Sequence, residues 1–251
     1  MRHGDEHAGH RHDYGYDIDR DAAAVADTDC AAHDLEWTLP VVGSGAGASG
    51  SFFRTGVQLH NPFDSPITAT FAFRAQGAET SDPPRQTATI APHQTIAIDD
   101  LVASMGQSGI GSGDLHTSGP GTPVVVVHVY DDGGSAGTTG FTVSPPLRSD
   151  AITANHSAVV IAPIDANRSR FNIGVRSLEN GAVIAFRSGS VTVTRTYARE
   201  SFEQVSARSI FGADAQGAIV VTVESGSAFI YGAQTDNITQ DPSLQMAQPL
   251  P

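Results

Sequence analysis

The segment PITATFAF puts Ile67, Ala69, Phe71 and Phe73 on one side of an extended chain and Thr68, Thr70 and Ala72 on the other. A period of two is the pattern of a β-strand with one face on a core, and no helix can gather those apolar residues onto one stripe. The same language runs from LEWTLPVV (35–42) onward: short alternating segments separated by Gly, Pro, Asn, Asp and Ser. In FFRTGVQLH, Phe53, Val57 and Leu59 share a face, and Asn61-Pro62 with Asp64-Ser65-Pro66 mark a turn before the next strand, so these two segments are expected to form a hairpin. Further strands are expected at QTATIA, TIAID, PVVVVHVY and GFTV. The run 123–129 is apolar on both sides and reads as a central strand covered on both faces. Helix is confined to turns such as DDLVASM, where Asp99 or Asp100 can cap a turn that aims Leu101, Val102 and Met105 inward.

The second half of the chain repeats this order. SRFNIGVRSLEN (169–180) echoes SFFRTGVQLHN (51–61), with Phe171, Gly174 and Val175 where the first half has Phe53, Gly56 and Val57. SARSIFG replays the helical turn, and GAIVVTVESGSAFIYGAQTDN replays GDLHTSGPGTPVVVVHVYDD. A repeat of about a hundred residues is too long for a solenoid unit and points to two tandem domains of one type. The expected fold is therefore all-β: two tandem antiparallel β-sandwich domains, 37–149 and 150–251, behind an N-terminal extension, 1–36, with a linker around SPPLRSDAITAN (144–155). A single intertwined unit is the alternative arrangement.

The order GSFFRTGVQLHNPFDSPITATFAF, IAPHQTIAIDDLVASM, GDLHTSGPGTPVVVVHVYDD and GAQTDNITQDPSLQMAQP resembles a group of secreted bacterial proteins built from paired immunoglobulin-like sandwich repeats. The resemblance covers about residues 37–251. It implies an exported, surface-associated or extracellular binding or structural module, and it brings no catalytic residues with it.

Charge narrows the partners. The chain has 27 acidic residues against 14 basic ones, every basic residue is arginine, and the net charge is −13. Nucleic acid is excluded as an expected partner, because phosphate binding requires a positive surface that releases counterions. Residues 1–36 carry ten acidic groups against Arg2, Arg11 and Arg20, so the extension holds −7 of the total. Nowhere does an apolar run approach the roughly 18 to 20 residues of a membrane-spanning helix, and no membrane span is expected. The N-terminus lacks the pattern of a secretory signal, so either the protein is cytoplasmic or the given sequence is a mature form or fragment whose export signal lies upstream; the expected location is extracellular or at the cell surface.

The extension holds the candidate metal site. His3, His7, His10 and His12 fall within twelve residues among acidic neighbours, a density that can supply three or four imidazoles to zinc, copper or nickel. With a free terminal amine, the histidine in third position could also complete a square-planar nitrogen set for copper(II) or nickel(II). Asp13, Asp17, Asp19 and Asp21 form a broken calcium loop that lacks its glycine and closing glutamate. The bland reading of the same stretch is a charged, core-poor tail whose histidines bind metal only incidentally.

Other motifs are refused. Gly45, Gly47 and Gly50 match a dinucleotide-binding G-x-G-x-x-G, but the chain continues as a period-two strand, and the motif works only at the start of a helix. Ser49 and Ser108 are each followed at once by glycine and so form no G-x-S-x-G elbow, and Cys30 lies among carboxylates that oppose a thiolate. His60, His93, His116, His128 and His156 share no spacing, and none is assigned a catalytic role. Asp99-Asp100 reads as a helix cap, and Asp131-Asp132 before GGSAG reads as a solvated turn in preference to a calcium ligand pair. One tryptophan and five tyrosines leave few surfaces for stacking sugars, so a glycoside hydrolase ranks last. The leading expectation is a non-enzymatic structural or adhesion module with protein partners or self-association, since sandwiches leave edge strands another chain can complete, here with DAAAVADTDCAAHDLEWTLP (21–40) as a packing segment. The alternative is a metal-binding protein that captures a transition ion through its His-rich N-terminus.

Overall fold

Alternation does what it predicts along the third strand: Ile67, Ala69, Phe71 and Phe73 are all 0–1% exposed, and the threonines between them face outward. The computed structural model describes residues 35–77 and 82–251. Strand makes up 63% of it and helix is limited to short turns, so the chain is all-β with two antiparallel sheets. The first sheet contains β1 (Leu35–Ala46), β2 (Phe52–His60), β3 (Ile67–Ala75), β4 (Arg85–Ile90), β5 (Thr95–Ile98), β6 (Gly109–Ser118), β7 (Val124–Asp132) and β8 (Thr138–Val143), with helix α1 (Leu101–Ser104) between β5 and β6. The second contains β9 (Ile152–Thr153), β10 (His156–Ala162), β11 (Ser169–Ser188), β12 (Val191–Tyr197), β13 (Phe202–Ser206), β14 (Gly217–Asp236), β15 (Pro242–Met246) and β16 (Gln248–Pro249), with helix α2 (Ala207–Phe211) after β13.

Pairing follows one plan in both halves. In the first, β4-β3-β6-β1 form one run and β5-β2-β7-β8 another, joined where Gly45 and Ala46 at the end of β1 pair with Phe53 and Phe52. In the second, the runs are β12-β11-β14-β10 and β13-β11-β14-β15. The two orders correspond strand for strand, except that the second half uses β11 and β14 twice. Each is 20 residues long, and the pair bends where its register shifts between Ser177 and Ala182. At that bend Gly181 and Gly226 both take positive φ, +67° and +74°, and lie back to back. A β-carbon on Gly226 would come within 2.0 Å of the Gly181 carbonyl oxygen.

The expected hairpin between β2 and β3 does not form. β2 pairs with β1, β5 and β7, whereas β3 pairs with β4 and β6. The prolines and turn residues at 61–66 carry the chain across from one run to the other. Asn61, fully buried, holds the crossing: its side-chain amide donates to the carbonyls of Ser65, Ile90 and Ala91 at 2.8, 3.0 and 3.2 Å, and its carboxamide oxygen accepts from the Phe63 amide at 3.0 Å. The expectation of double cover for 123–129 is also corrected. β7 is central in its run, but Val124 and Val126 are 55% and 40% exposed, so only the face of Val127 and Val129 meets a core. A run of four valines satisfies a buried and an open face equally well, which is why composition alone could not separate them.

Each half has its own apolar core. Leu39, Val57, Leu59, Phe71, Leu115 and Val127 meet in the first, and Val160, Ile173, Ile184, Phe186, Val221 and Ile230 in the second. Burying each such side chain contributes about 1.5–3 kcal/mol. The helical turns seal one end of each core. Asp100 caps α1 by accepting from Ala103 N at 3.0 Å, and Leu101 and Val102 are buried as the sequence implied. Ser206 caps α2 from Ser209 N at 3.2 Å, and Gly212 ends it in the left-handed region at φ +76°. Gln245 closes the free edge of β10, accepting from Ile161 N at 2.9 Å and donating to its carbonyl at 2.6 Å.

Gly226→Ala forces a methyl group into the Gly181 carbonyl and a strained φ on alanine, and urea denaturation is expected to show a loss of about 1–3 kcal/mol.

Candidate functional site

Residues 32–251 form one compact unit, and its two halves meet along a surface that is both apolar and ionic. The second half contributes the outer face of its β13-β11-β14-β15 run. Phe202, Tyr231, Ala233, Leu244 and Met246 pack there against Val41, Ile110, Val129 and Phe141 of the first half. Tyr231 can lie flat on its own sheet because its neighbour is Gly174: a β-carbon there would stand 1.9 Å from the Tyr231 Cζ. The tyrosine hydroxyl donates to Gln204 Oε1 at 2.7 Å, and burial pushes its pKa well above the ordinary value of 10. Two further bonds complete the seam, from Gly77 N to the Phe202 carbonyl at 3.3 Å and from Gln204 N to the Gln76 side-chain Oε1 at 3.2 Å.

Beside this apolar patch sits an ionic clasp. Arg176 on β11 is fully buried, and its Nη2 reaches both oxygens of Asp114 on β6, at 2.9 and 3.1 Å, and Glu200 Oε2 at 2.5 Å. Its Nη1 donates to the Ser177 carbonyl. Arg74 on β3 binds the same two carboxylates, Asp114 Oδ2 at 2.6 Å and Glu200 Oε2 at 3.3 Å. Arg148, in the turn that links the halves, bonds Glu200, Glu179 at 2.8 Å and Glu36 at 3.4 Å. Three guanidinium groups thus face four carboxylates across the joint. A planar fork with donors on two sides can bind two carboxylates at once, which an ammonium cannot match in geometry.

The electrostatics follow from burial. Burial alone raises the pKa of Asp114, but the charge of Arg176, then that of Arg74, and the hydrogen bonds from both outweigh it and hold the carboxyl below its ordinary 3.8. For Arg148, burial opposes the charged form and Glu200 reverses this, leaving its pKa raised. Glu200 is delivered by a corner with a positive φ of +53°, and the matching corner of the first half places His93 at φ +57°. His93 there only meets the exposed Asp64, at 2.8 Å, so the same strained turn carries the clasp in one half and a surface contact in the other.

Next to the joint lies a groove of about 730 Å³, lined by Val42, Phe53, Ile110, Phe141, Arg170 and Asn172 among others. Arg170 bonds Gln240 at 2.8 Å and Asn237 at 3.4 Å, and burial lowers its pKa. A second hollow, about 500 Å³, is open on the outer face of the β5-β2-β7-β8 run, where the His128 and Tyr130 rings stack at 5.1 Å beside Gly56 and Gln58.

The candidate metal ligands His3, His7, His10 and His12, the aspartates 13–21 and Cys30 lie outside the described residues. Among the described residues no group of three or more His, Cys, Asp or Glu side chains is placed to hold a metal ion. Asp131 and Asp132 serve other donors: Asp131 accepts from Phe52 N at 2.6 Å, and Asp132 binds Arg54 at 3.0 Å and Gly134 N at 3.2 Å. Asp100 holds Arg54 and Ser44 besides capping α1. The histidines are engaged separately, His60 with Thr95 at 2.9 Å and His156 with Thr153 at 3.1 Å. Gly45 lies in β1, and Gly47 precedes a single short turn, Ala48–Gly50, that leads into β2, with no α-helix to receive a phosphate. None of the described helices is long and apolar enough to cross a membrane. The residues of the clasp were not singled out by the sequence.

Arg176→Met removes the buried cation shared by the half-buried Asp114 and Glu200 and leaves them to Arg74 and Arg148, and denaturation is expected to show a loss of about 1–3 kcal/mol. Asp114 has its folded pKa below 3.8, so its contribution is complete above that value and is lost as pH falls through the lowered one. Asp114→Asn should remove that component from the acid limb of a stability–pH curve. Comparison with known protein families, with curated proteins and with solved structures finds no match for this chain.

Proposed function

We propose that this chain is a non-enzymatic structural or adhesion module that works outside the cell or on its surface, with two immunoglobulin-like sandwich domains at 37–149 and 150–251 held as one rigid body. The observation that carries the reading is the joint. A fully buried arginine shared by two carboxylates of different halves is a costly device in a protein whose halves need to move. It suits a protein that must keep two binding or load-bearing units at a fixed angle. The matching strand order of the halves supports the tandem reading, and the described histidines with a bonded partner are engaged one at a time, His60 with Thr95, His93 with Asp64 and His156 with Thr153.

Location is tested on the organism's own cells. An antibody against the full chain is expected to label intact cells and to lose its signal after protease treatment of the surface or after removal of the culture medium. Labelling confined to permeabilised cells, with the protein recovered only in the cytosol, overturns the reading.

A further inference from the structure

The joint covers one particular face of the second half, and the described residues leave the corresponding face of the first half open. β2, β5, β7 and β8 stand in the first half where β11, β13, β14 and β15 stand in the second. Aligning Gly56 with Gly174 places His128 where Tyr231 stands, because each is the cross-strand partner of its glycine. Tyr231 is fully buried against the first half. Its counterpart instead faces the 500 Å³ hollow, flanked by Val124 and Val126, which are among the most exposed large apolar side chains described. Val124 and Val126 stand two residues apart on one face of β7 and, with the hollow, make an apolar surface that another protein chain can cover.

The surface that covers Tyr231 also has a counterpart. It is built from Ile110, Val129 and Phe141 together with Val41 near the end of β1, and Val41 is the part whose counterpart lies on β10. β10 occupies the place of β1, since Trp37 opposite Leu115 corresponds to Ala158 opposite Val221. The end of β10 that matches Pro40 and Val41 exposes Ile161 by 52%, and Ile164 in the turn beyond it by 82%. The clasp residues change in step on the two open surfaces. The position of Arg176 is held by Gln58 and that of Asp114 by Val220, so bringing these surfaces together buries neither charge without its partner. A surface that kept only one of the two charges would carry the penalty of an unpaired buried ion.

We propose that the open face of the first half, centred on Val126 and His128, docks onto the Ile161–Ile164 end of the second half of another copy of this chain. The contact repeats between molecules the arrangement that joins the halves within one. It is heterologous, with different surfaces on the two partners, so copies add head to tail, into a ring where the rotation between them closes and an open row where it does not. The proposal rests on the reading of the chain as a structural module and specifies how its copies join.

Sedimentation velocity of the full chain over a range of concentrations tests it. The wild type is expected to grow into species larger than a dimer as concentration rises, while Val126→Glu and Ile161→Glu are each expected to remain monomeric. Mixed in equal amounts, the two variants should stop at a dimer, since only one intact face and one intact end remain between them. A wild type that stays monomeric throughout overturns the proposal. So does a Val126→Glu variant that loses assembly while Ile161→Glu keeps it, which would mean that two identical faces pair. Val124→Glu and Ile164→Glu repeat each arm at a separate exposed position, and unchanged thermal melting separates loss of the contact from loss of the fold. The cell-surface labelling experiment is independent of these outcomes, so the assembly and the location can fail separately.

Discussion

The way the two described halves meet depends first on the side chain of Arg176. It sits in the middle of a strand, between Val175, which enters the core, and Ser177, which closes a turn, and it has no exposed surface. A charge in that position is tolerable only because carboxylates from both halves converge on it: Asp114 from the middle of β6, Glu200 from the strained corner after β12. Neither carboxylate is held by Arg176 alone. Arg74 shares both, and Arg148 draws in Glu200 from the linker, so removing any single arginine leaves the others to absorb part of the charge. The orientation of the halves is therefore set by a small network of directional bonds, and the apolar contacts of Tyr231, Phe202, Val41 and Val129 fill the space it defines. Buried ion pairs add little net stability compared with a well-packed apolar contact, but they penalise any alternative packing that would separate them.

Much of the architecture was legible because period-two alternation is a direct consequence of strand geometry. PITATFAF, the capped turn at Asp100 and the echo of the first half in the second all translate into structure without help from tertiary contacts. What failed was pairing. The turn residues at 61–66 mark a reversal equally well whether the next strand lies beside the last or across from it, and only the buried carboxamide of Asn61, bonding to carbonyls thirty residues away, decides. The valines of 124–127 failed for a related reason: hydrophobicity on both faces says that both can be buried and cannot say that both are.

The clasp was hidden for a different reason. Its members are spread over positions 36, 74, 114, 148, 176, 179 and 200, and each reads locally as an ordinary surface charge on a strand or a turn. One clue was present. Arg176 interrupts an alternating strand at a position where the first half has an uncharged Gln58, and a charge that appears in only one of two repeats marks something the repeats do not share. The complete absence of lysine is consistent with charges chosen for geometry as well as for solubility.

The two halves also differ in how the chain gets from one layer to the other. In the first, β2 and β3, like β6 and β7, are separated by turns; in the second, β11 and β14 run straight through as single strands bent at Gly181 and Gly226. A protease needs several residues of accessible, unpaired backbone, and an insertion needs a place where the chain can leave the sheet and return. The first half offers both at its inter-strand turns. The second offers neither at the corresponding corners, because a bent strand keeps its hydrogen-bonded neighbour on both sides of the bend. Divergence by gain of new loops is thereby steered toward the half that carries the open face, and the half that carries the clasp is closed to it.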